Sequence, residues 1–516
     1  MNTIKSLVLG SAAVLVAMSG AQAADLPIKA KAVEYVKVCS LYGAGFYYIP
    51  GTDTCIKLGG YLRAETSFAS NGQYNNAVTA PSGLNNRYSN YFYTRARQDL
   101  NIDTRTATEY GVVRTFADLT FTWTSGNFAG TGNGGTFYST GAANTAGLTS
   151  VNGLSNDGIA GGSLGVYYAF IQFAGFTMGK AVSQFDAPWT NYPGNNFDGL
   201  WGGGGTVTGV NQFTYTADFG SGITAAISAQ EQAAYYQTNI WNTSGALQSA
   251  SGVLGGAYGT NSIGGTVAPD IVGMVRVDQA WGLFQASFAA HDNHAGYYGV
   301  AETSGHPSDK WGWAGQLALS IKNIPTGPGD TINIQGVYTN GATRYNAQSL
   351  APTTYQIFGS SNNGAYQSVA FAGASDSVYG VGTAQELTTS YGFRGAFTHN
   401  WNPAWNTAIY GSWAALRYNG NAKALICSGA GVAGLGITAA NCNPDFNISS
   451  LGLITRWTPV KNLTFSADVA WTNLDQKYTG NATLAAASGS SAKPAAVYQL
   501  KDQNSVSLLL RAQRNF

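Results

Sequence analysis

Between residues 91 and 106 every charged side chain falls on an odd position (Arg95, Arg97, Asp99, Asp103 and Arg105), while the even positions include Phe92, Thr94, Ala96, Leu100, Ile102 and Thr104. A side-chain period of two marks a β-strand with one polar and one apolar face. The pattern recurs along the chain. Lys57, Arg63 and Glu65 oppose Leu58, Leu62 and Phe68; Trp311, Trp313, Leu317, Leu319 and Ile321 alternate with Lys310, Gln316, Ser320 and Lys322; Leu463, Phe465, Ala467, Val469 and Trp471 alternate with Thr464, Ser466, Asp468 and Thr472. Marking every such segment predicts sixteen strands, the first over 56–68 and the last over 501–516. Long connections at 69–90, 125–164, 183–209, 232–269, 292–309, 341–385, 419–445 and 475–500 alternate with short turns. Every long loop therefore lies on one side of the sheet and every turn on the other. The long connections are rich in Gly, Asn, Ser and Thr and read as loops.

A soluble sandwich would show its polar faces to water and carry charge there, but only 10% of this chain is charged, against roughly 25% in typical soluble domains. Hydrophobic residues make up 44% and aromatics 13%, which excludes a disordered chain. The arrangement that fits is an all-β fold: a closed transmembrane antiparallel 16-stranded β-barrel spanning residues 56–516. Its apolar residues face lipid, its aromatics sit at both interfaces and its polar residues face a lumen. Sixteen strands enclose a water-filled channel rather than a packed core. Long loops would be extracellular and short turns periplasmic.

Residues 1–23 read as a cleaved export signal: Lys5, an apolar stretch from Leu7 to Val16, and a small-x-small site with cleavage between Ala23 and Ala24. Loss of Lys5 leaves basic and acidic residues balanced, so no basic excess is available for nucleic acid. In an oxidising compartment the four cysteines read as two local disulfides, Cys39 with Cys55 and Cys427 with Cys442, each closing a Gly-containing segment. Residues 24–55 form an N-terminal segment, with the first disulfide closing either a hairpin at the barrel end or an extra pair of strands.

The stretches Ala24-Asp25-Leu26-Pro27, Val33-Glu34-Tyr35-Val36-Lys37-Val38-Cys39 and Leu41-Tyr42-Gly43-Ala44-Gly45-Phe46, running on to Cys55, resemble the alphaproteobacterial general porin family. So do His399-Asn400-Trp401-Asn402-Pro403-Ala404-Trp405 and a last strand ending at Phe516. The resemblance implies a homotrimer that passes small hydrophilic solutes and ions by passive diffusion, with a long loop folded into the lumen as its constriction. By analogy that loop is 183–209. The expected surroundings are outer-membrane lipid and lipopolysaccharide, with Phe516 as the signal read by the outer-membrane assembly machinery. No cofactor and no catalytic residue is expected. A substrate-selective channel of the same fold, for sugars or organic anions, is the alternative.

A diffusion pore needs a hydrated lumen, a constriction and a field across it. Lys57, Arg63, Arg95, Arg97, Arg105 and Arg114 on the first three strands are the expected basic wall. Asp186 and Asp198 on the inward loop are the expected opposing charge, with Phe185, Trp189, Tyr192 and Phe197 stiffening the loop. A structural alternative has the arginines pairing with Glu65, Asp99, Asp103 and Asp118 to hold the wall together. His291 and His294, flanking Asp292, are expected as solvated side chains at a loop start rather than as a metal grip. Gly202 to Gly205 lacks the Lys-Ser/Thr and the helix that a phosphate cradle requires. His399 is the single histidine worth testing for a barrel-borne hydrolase.

Overall fold

The computed structural model describes residues 37–68, 92–124, 163–189, 199–205, 208–231, 237–244, 249–348, 351–359, 368–485 and 494–516. The cleavage pair Ala23 and Ala24, residues 24–36, Tyr192, Phe197 and Asp198 lie outside these. Sixteen long strands form one antiparallel sheet: β1 (Cys55–Phe68), β2 (Phe92–Thr108), β3 (Gly111–Thr124), β4 (Ser163–Phe173), β5 (Phe176–Ala181), β6 (Val210–Asp218), β7 (Ile223–Gln230), β8 (Asp270–Gln279), β9 (Gly282–Asn293), β10 (Lys310–Lys322), β11 (Thr331–Asn340), β12 (Thr389–Asn402), β13 (Trp405–Arg417), β14 (Phe446–Val460), β15 (Leu463–Gln476) and β16 (Gln503–Asn515). Each pairs with its neighbour in sequence, and β16 pairs with β1 from Tyr61↔Asn515 to Phe68↔Leu508, which closes the barrel and removes the sheet edge. The sixteen predicted strands are these sixteen.

Register and burial separate the two faces. Ala64, Ala96 and Ala512 stand level on the outer face, one residue from Arg63, Glu65, Arg95, Arg97 and Arg511 on the inner. The outer face is apolar and exposed, with Leu62, Phe213, Ile227, Leu317, Phe393, Leu451 and Leu453 all open. Aromatics mark both rims. Toward the long loops Phe288, Trp313, Tyr338, Tyr391 and Trp413 form a chain of rings with centroids 5.4 to 6.3 Å apart. Toward the short turns Trp405, Trp457 and Phe465 stack at 5.8 and 5.6 Å. Two such girdles bound the lipid-facing band. The turns are tight: Ala174 and Gly175, between β4 and β5, both take positive φ, as the twist of a two-residue hairpin requires.

The long connections are more ordered than their composition predicts. Thr260–Asn261, Asn239–Asn242, Ser375–Tyr379 and Glu386–Leu387 make one four-stranded sheet. Thr354–Gly359, Ser368–Gly373, Ala496–Leu500 and Asn481–Leu484 make a second. With helices Ala250–Leu254, Gly420–Cys427 and Ala430–Gly434 they enclose an apolar core that includes Trp241, Phe358, Phe371, Ile426 and Tyr478. That core is continuous with Ala414, Leu416, Phe446, Ile448 and Leu474 on the inner face of β13 to β15. The inner face at the loop-side ends of these strands is thus apolar and covered, not polar and wet. Both disulfides form as paired, Cys39–Cys55 and Cys427–Cys442.

Candidate pore wall and constriction

The basic residues expected on the wall all lie on the inner face of β1 to β3, where register sets Lys57 beside Asp103, Arg63 beside Arg97, Glu65 beside Arg95, and Arg105 beside Arg114. The structure combines the two expectations: the residues face inward, and most are paired. Arg95 and Arg511 both bind Glu65, with Arg95 and Glu65 each nearly buried. Arg63 donates to Gln513 Oε1 (2.8 Å) and lies 4.4 Å over the Tyr61 ring. Arg97 donates to Thr122 Oγ1 (2.9 Å) and faces the Tyr167 ring at 5.2 Å. Arg105 and Arg114 both hold Asp103. Lys57 reaches over Phe46 (5.8 Å). A register shift between Asp118 and Leu119 leaves Tyr167 as the extra residue of β4, and a bulge of this kind re-aims a side chain.

Two contributors were not identified as part of the wall from sequence. Arg511 and Gln513 enter it from the last strand because closure sets β16 beside β1, a pairing that alternation within one strand does not reveal. The inner aromatics Phe116, Tyr168 and Phe170, with centroids 5.4 and 6.4 Å from Phe116, break the expectation of a purely polar inner face.

The segment between β5 and β6 hydrogen-bonds to inward side chains of the later strands. Ser183 donates to Gln230 (2.8 Å), the Phe185 carbonyl accepts from Gln316 (2.7 Å) and Gln285 (3.3 Å), and the Asp186 carbonyl accepts from Gln285 (3.0 Å). Arg394 donates to the Gly204 carbonyl (2.8 Å), and the Gly202 amide donates to the Asn346 carbonyl (2.8 Å). Glycine is needed for this approach: a Cβ at Gly202, whose φ is +99°, would come 2.3 Å from the Phe393 carbonyl oxygen, and one at Gly203 would come 2.0 Å from Gln335. Gly202, Gly203 and Gly204 are therefore a close-packing device. Phe185 is fully buried against Tyr345, ring centroids 4.6 Å apart. Asp186 is also buried, beside Gly204.

Of the two histidines expected in water, His294 keeps its exposure and His291 does not. His291 is not solvated: its Nδ1 meets Asp270 at 2.9 Å, its Nε2 lies 3.7 Å from Asp376, and all three are fully buried. Tyr345 donates to Asp270 (2.5 Å), and the amides of Thr238 and Thr343 each donate to Asp376 at 2.6 Å. Tyr345 and Asp376, both from the 341–385 connection, lie against this pair, which removes His291 from water. Burial raises the carboxyl of Asp376 above its ordinary range, although His291 and the two amides favour its ionised form. His294 pairs with Asp309 (2.8 Å). His399 pairs with Asp330 (2.7 Å) beside the Trp401 ring, and among the described residues no serine hydroxyl bonds to it.

A closed sixteen-stranded barrel with an apolar outer belt, aromatic girdles and a charged inner wall defines a β-barrel channel of the outer membrane. The chain belongs to the porin family: the family model described as "Porin subfamily" matches residues 25–509. It is 36% identical to porin Omp2a of Brucella melitensis over 276 residues, covering 52% of this chain and 67% of that protein. It is 31% identical to porin Omp2a of Brucella suis over 343 residues, covering 65% and 84%. The outer membrane channel DcaP of Acinetobacter baumannii shares the fold, with a TM-score of 0.56 at 12% identity over 91% of this chain and 99% of that one.

Proposed function

We propose that this porin is a passive diffusion channel for small hydrophilic solutes and ions, working as a homotrimer. Its water path follows the wall of β1 to β4 and β16, and the described parts of the inward segment, 183–189 and 199–205, narrow it from the opposite side. The observation that carries this reading is the partly exposed charged wall at Arg63, Arg105 and Arg114 inside a barrel whose outer face is apolar. A charge held on that face has only the lumen to meet. Cations on it (Lys57, Arg63, Arg95, Arg97, Arg105, Arg114 and Arg511) outnumber Glu65, Asp99, Asp103 and Asp118, so the field favours anions. Asp186 and Asp198 are the acidic residues on the loop side. Phe516, whose amide donates to the Gly60 carbonyl at 3.1 Å beside the closing seam, serves as the mark read by the assembly machinery. Lipid and lipopolysaccharide solvate the outer belt.

The test is recording from refolded trimers in a planar bilayer. Steady conductance in three equal steps, with a reversal potential shifted toward the anion, is expected. Silence from correctly folded trimers would overturn the reading. The intact mass of the exported protein tests cleavage between Ala23 and Ala24.

A further inference from the structure

Near the short turns the wall carries a cluster unlike the rest of it. Asp103 receives two arginines at once: Arg105 through Nε (3.2 Å) and Nη2 (3.0 Å), and Arg114 through Nε (3.1 Å) and Nη2 (3.0 Å). Each guanidinium also rests on aromatic rings. Arg105 lies 4.9 Å from the Phe46 centroid and 5.7 Å from Tyr42; Arg114 lies 5.2 Å from Phe116 and 5.6 Å from Phe170. Two-point bonds on one side and ring faces on the other fix both planes.

One carboxylate does not neutralise two guanidiniums, and Lys57, level with Asp103 in the register, adds a third cation. Both arginine side chains remain 29% exposed, whereas Asp103 is 12% exposed. Arg114 Nη1 donates to Gln172 (3.0 Å), while among the described residues Arg105 Nη1 makes no hydrogen bond. Planar donors that are already oriented, carry surplus charge and stay open to water suit an oxyanion.

The rings under Arg105 do not belong to the barrel wall. They come from residues 37–54, a hairpin folded onto the inner side of β1 and held by Cys39–Cys55, by the Cys39 amide on the Phe46 carbonyl (3.0 Å) and by the Tyr48 amide on the Lys37 carbonyl (2.8 Å). Phe46 is nearly buried between this hairpin, Lys57 and Arg105. The disulfide thus fixes the shelf on which Arg105 lies.

We propose that Arg105 and Arg114, spaced by Asp103 and shelved partly by the disulfide-pinned hairpin, form an anion-binding site at the turn-side mouth of the pore, taking the carboxylate or phosphate groups of passing solutes. This rests on the porin reading. The site lies at one mouth only, so it acts differently on anions arriving from the two sides.

The experiment uses the full mature chain as trimers in a planar bilayer in potassium chloride, with inorganic phosphate or succinate added to one side at a time. Phosphate or succinate at the turn side is expected to reduce the single-channel current in a saturable way, and less so from the loop side. Preference for one of the two anions assigns the group that the site reads. Loss of one charge-assisted contact, in Arg105→Gln or Arg114→Gln, raises the half-blocking concentration about tenfold. Phe46→Leu and the pair Cys39→Ser with Cys55→Ser leave the charges in place and are expected to raise it by less, so the site stays testable if an arginine variant does not fold. Arg514→Gln, on the outer face, leaves block unchanged. A conducting channel that neither anion blocks, or that is blocked equally from both sides and equally in the arginine and hairpin variants, overturns the site and leaves the porin reading standing. Folded trimers that carry no current overturn that reading itself.

Discussion

On β1 to β3 the inward positions include Arg63, Glu65, Arg97, Asp99 and Asp118, with Phe116 among them, whereas on the loop-side halves of β13 to β15 they include Ala414, Leu416, Phe446, Ile448 and Leu474. Both flanks present the same apolar outer face, with Leu62 and Leu451 equally open. Only the inner faces differ, and they differ by what lies against them. The early flank keeps charge, most of it buried and paired from strand to strand, with Arg63, Arg105 and Arg114 left partly exposed. The late flank meets the folded loop module, where Phe371 stacks on Tyr478 (4.5 Å) and Gln476 bonds the Phe371 amide (3.3 Å) and the Val369 carbonyl (3.0 Å). A charged inner face is therefore kept where residues pair strand to strand and an apolar one where the loop module packs, and the proposed water path follows the charged flank.

The largest effect that would break this contrast is loss of the packing on the late flank. Phe371→Ala removes a fully buried ring and should cost the module about 3 to 5 kcal/mol. Amide exchange over Ser368–Gly373 should accelerate, and single channels should become noisier and more conductive; an unchanged exchange pattern would mean that the module does not depend on this core. Next, His291→Ala leaves Asp270 and Asp376 buried without the imidazole between them, at a cost of about 3 kcal/mol. Its mark should be faster exchange in Ser375–Tyr379, with the early wall and its ion preference untouched.

A smaller effect tests the turn side, which both flanks share. Asp330 is buried, which by itself raises its carboxyl, but bonds from Thr326 Oγ1 (2.6 Å), the Asn400 amide (2.8 Å) and His399 (2.7 Å) hold it down to about 2. A carboxyl depressed in the folded state stabilises above its unfolded value, roughly 4, and that contribution disappears as pH falls through the folded value. Thermal unfolding of detergent-solubilised trimers should weaken between about pH 4 and pH 2, and Asp330→Asn should flatten that slope. The smallest effect is expected at Arg514, exposed at the rim and bonded to the Lys461 carbonyl. Arg514→Ala should move stability by less than about 0.5 kcal/mol.

The barrel was legible because each strand has lipid on one side, and lipid enforces alternation wherever it touches. Strand number, closure and the inward placement of Arg63, Arg95, Arg97, Arg105 and Arg114 follow from that single constraint. The loop module was not legible. Ser368–Gly373 and Ser375–Tyr379 are buried along their whole length, so no alternation survives to mark them, and their small and polar residues read as loop. His291 was misplaced for the same reason: its surroundings come from Tyr345 and Asp376, far along the chain, and a local reading placed it in water. The wall was only partly legible. Parity groups the arginines on one face of their strands but cannot show that Arg95 shares Glu65 with Arg511, because that contact crosses the closing seam.

The proposed water path along the charged flank is tested most directly by single cysteines placed on the two flanks. Every native cysteine of the described chain is in a disulfide, so an added thiol reports alone. Gln172→Cys, on the inner face of β4 beside Arg114, should react rapidly with a charged, water-soluble thiol reagent and show a stepwise fall in single-channel current. Ile448→Cys, nearly buried on the inner face of β14, should neither react nor change the current. Equal reaction and equal current block at both positions would show water along both flanks and contradict that path.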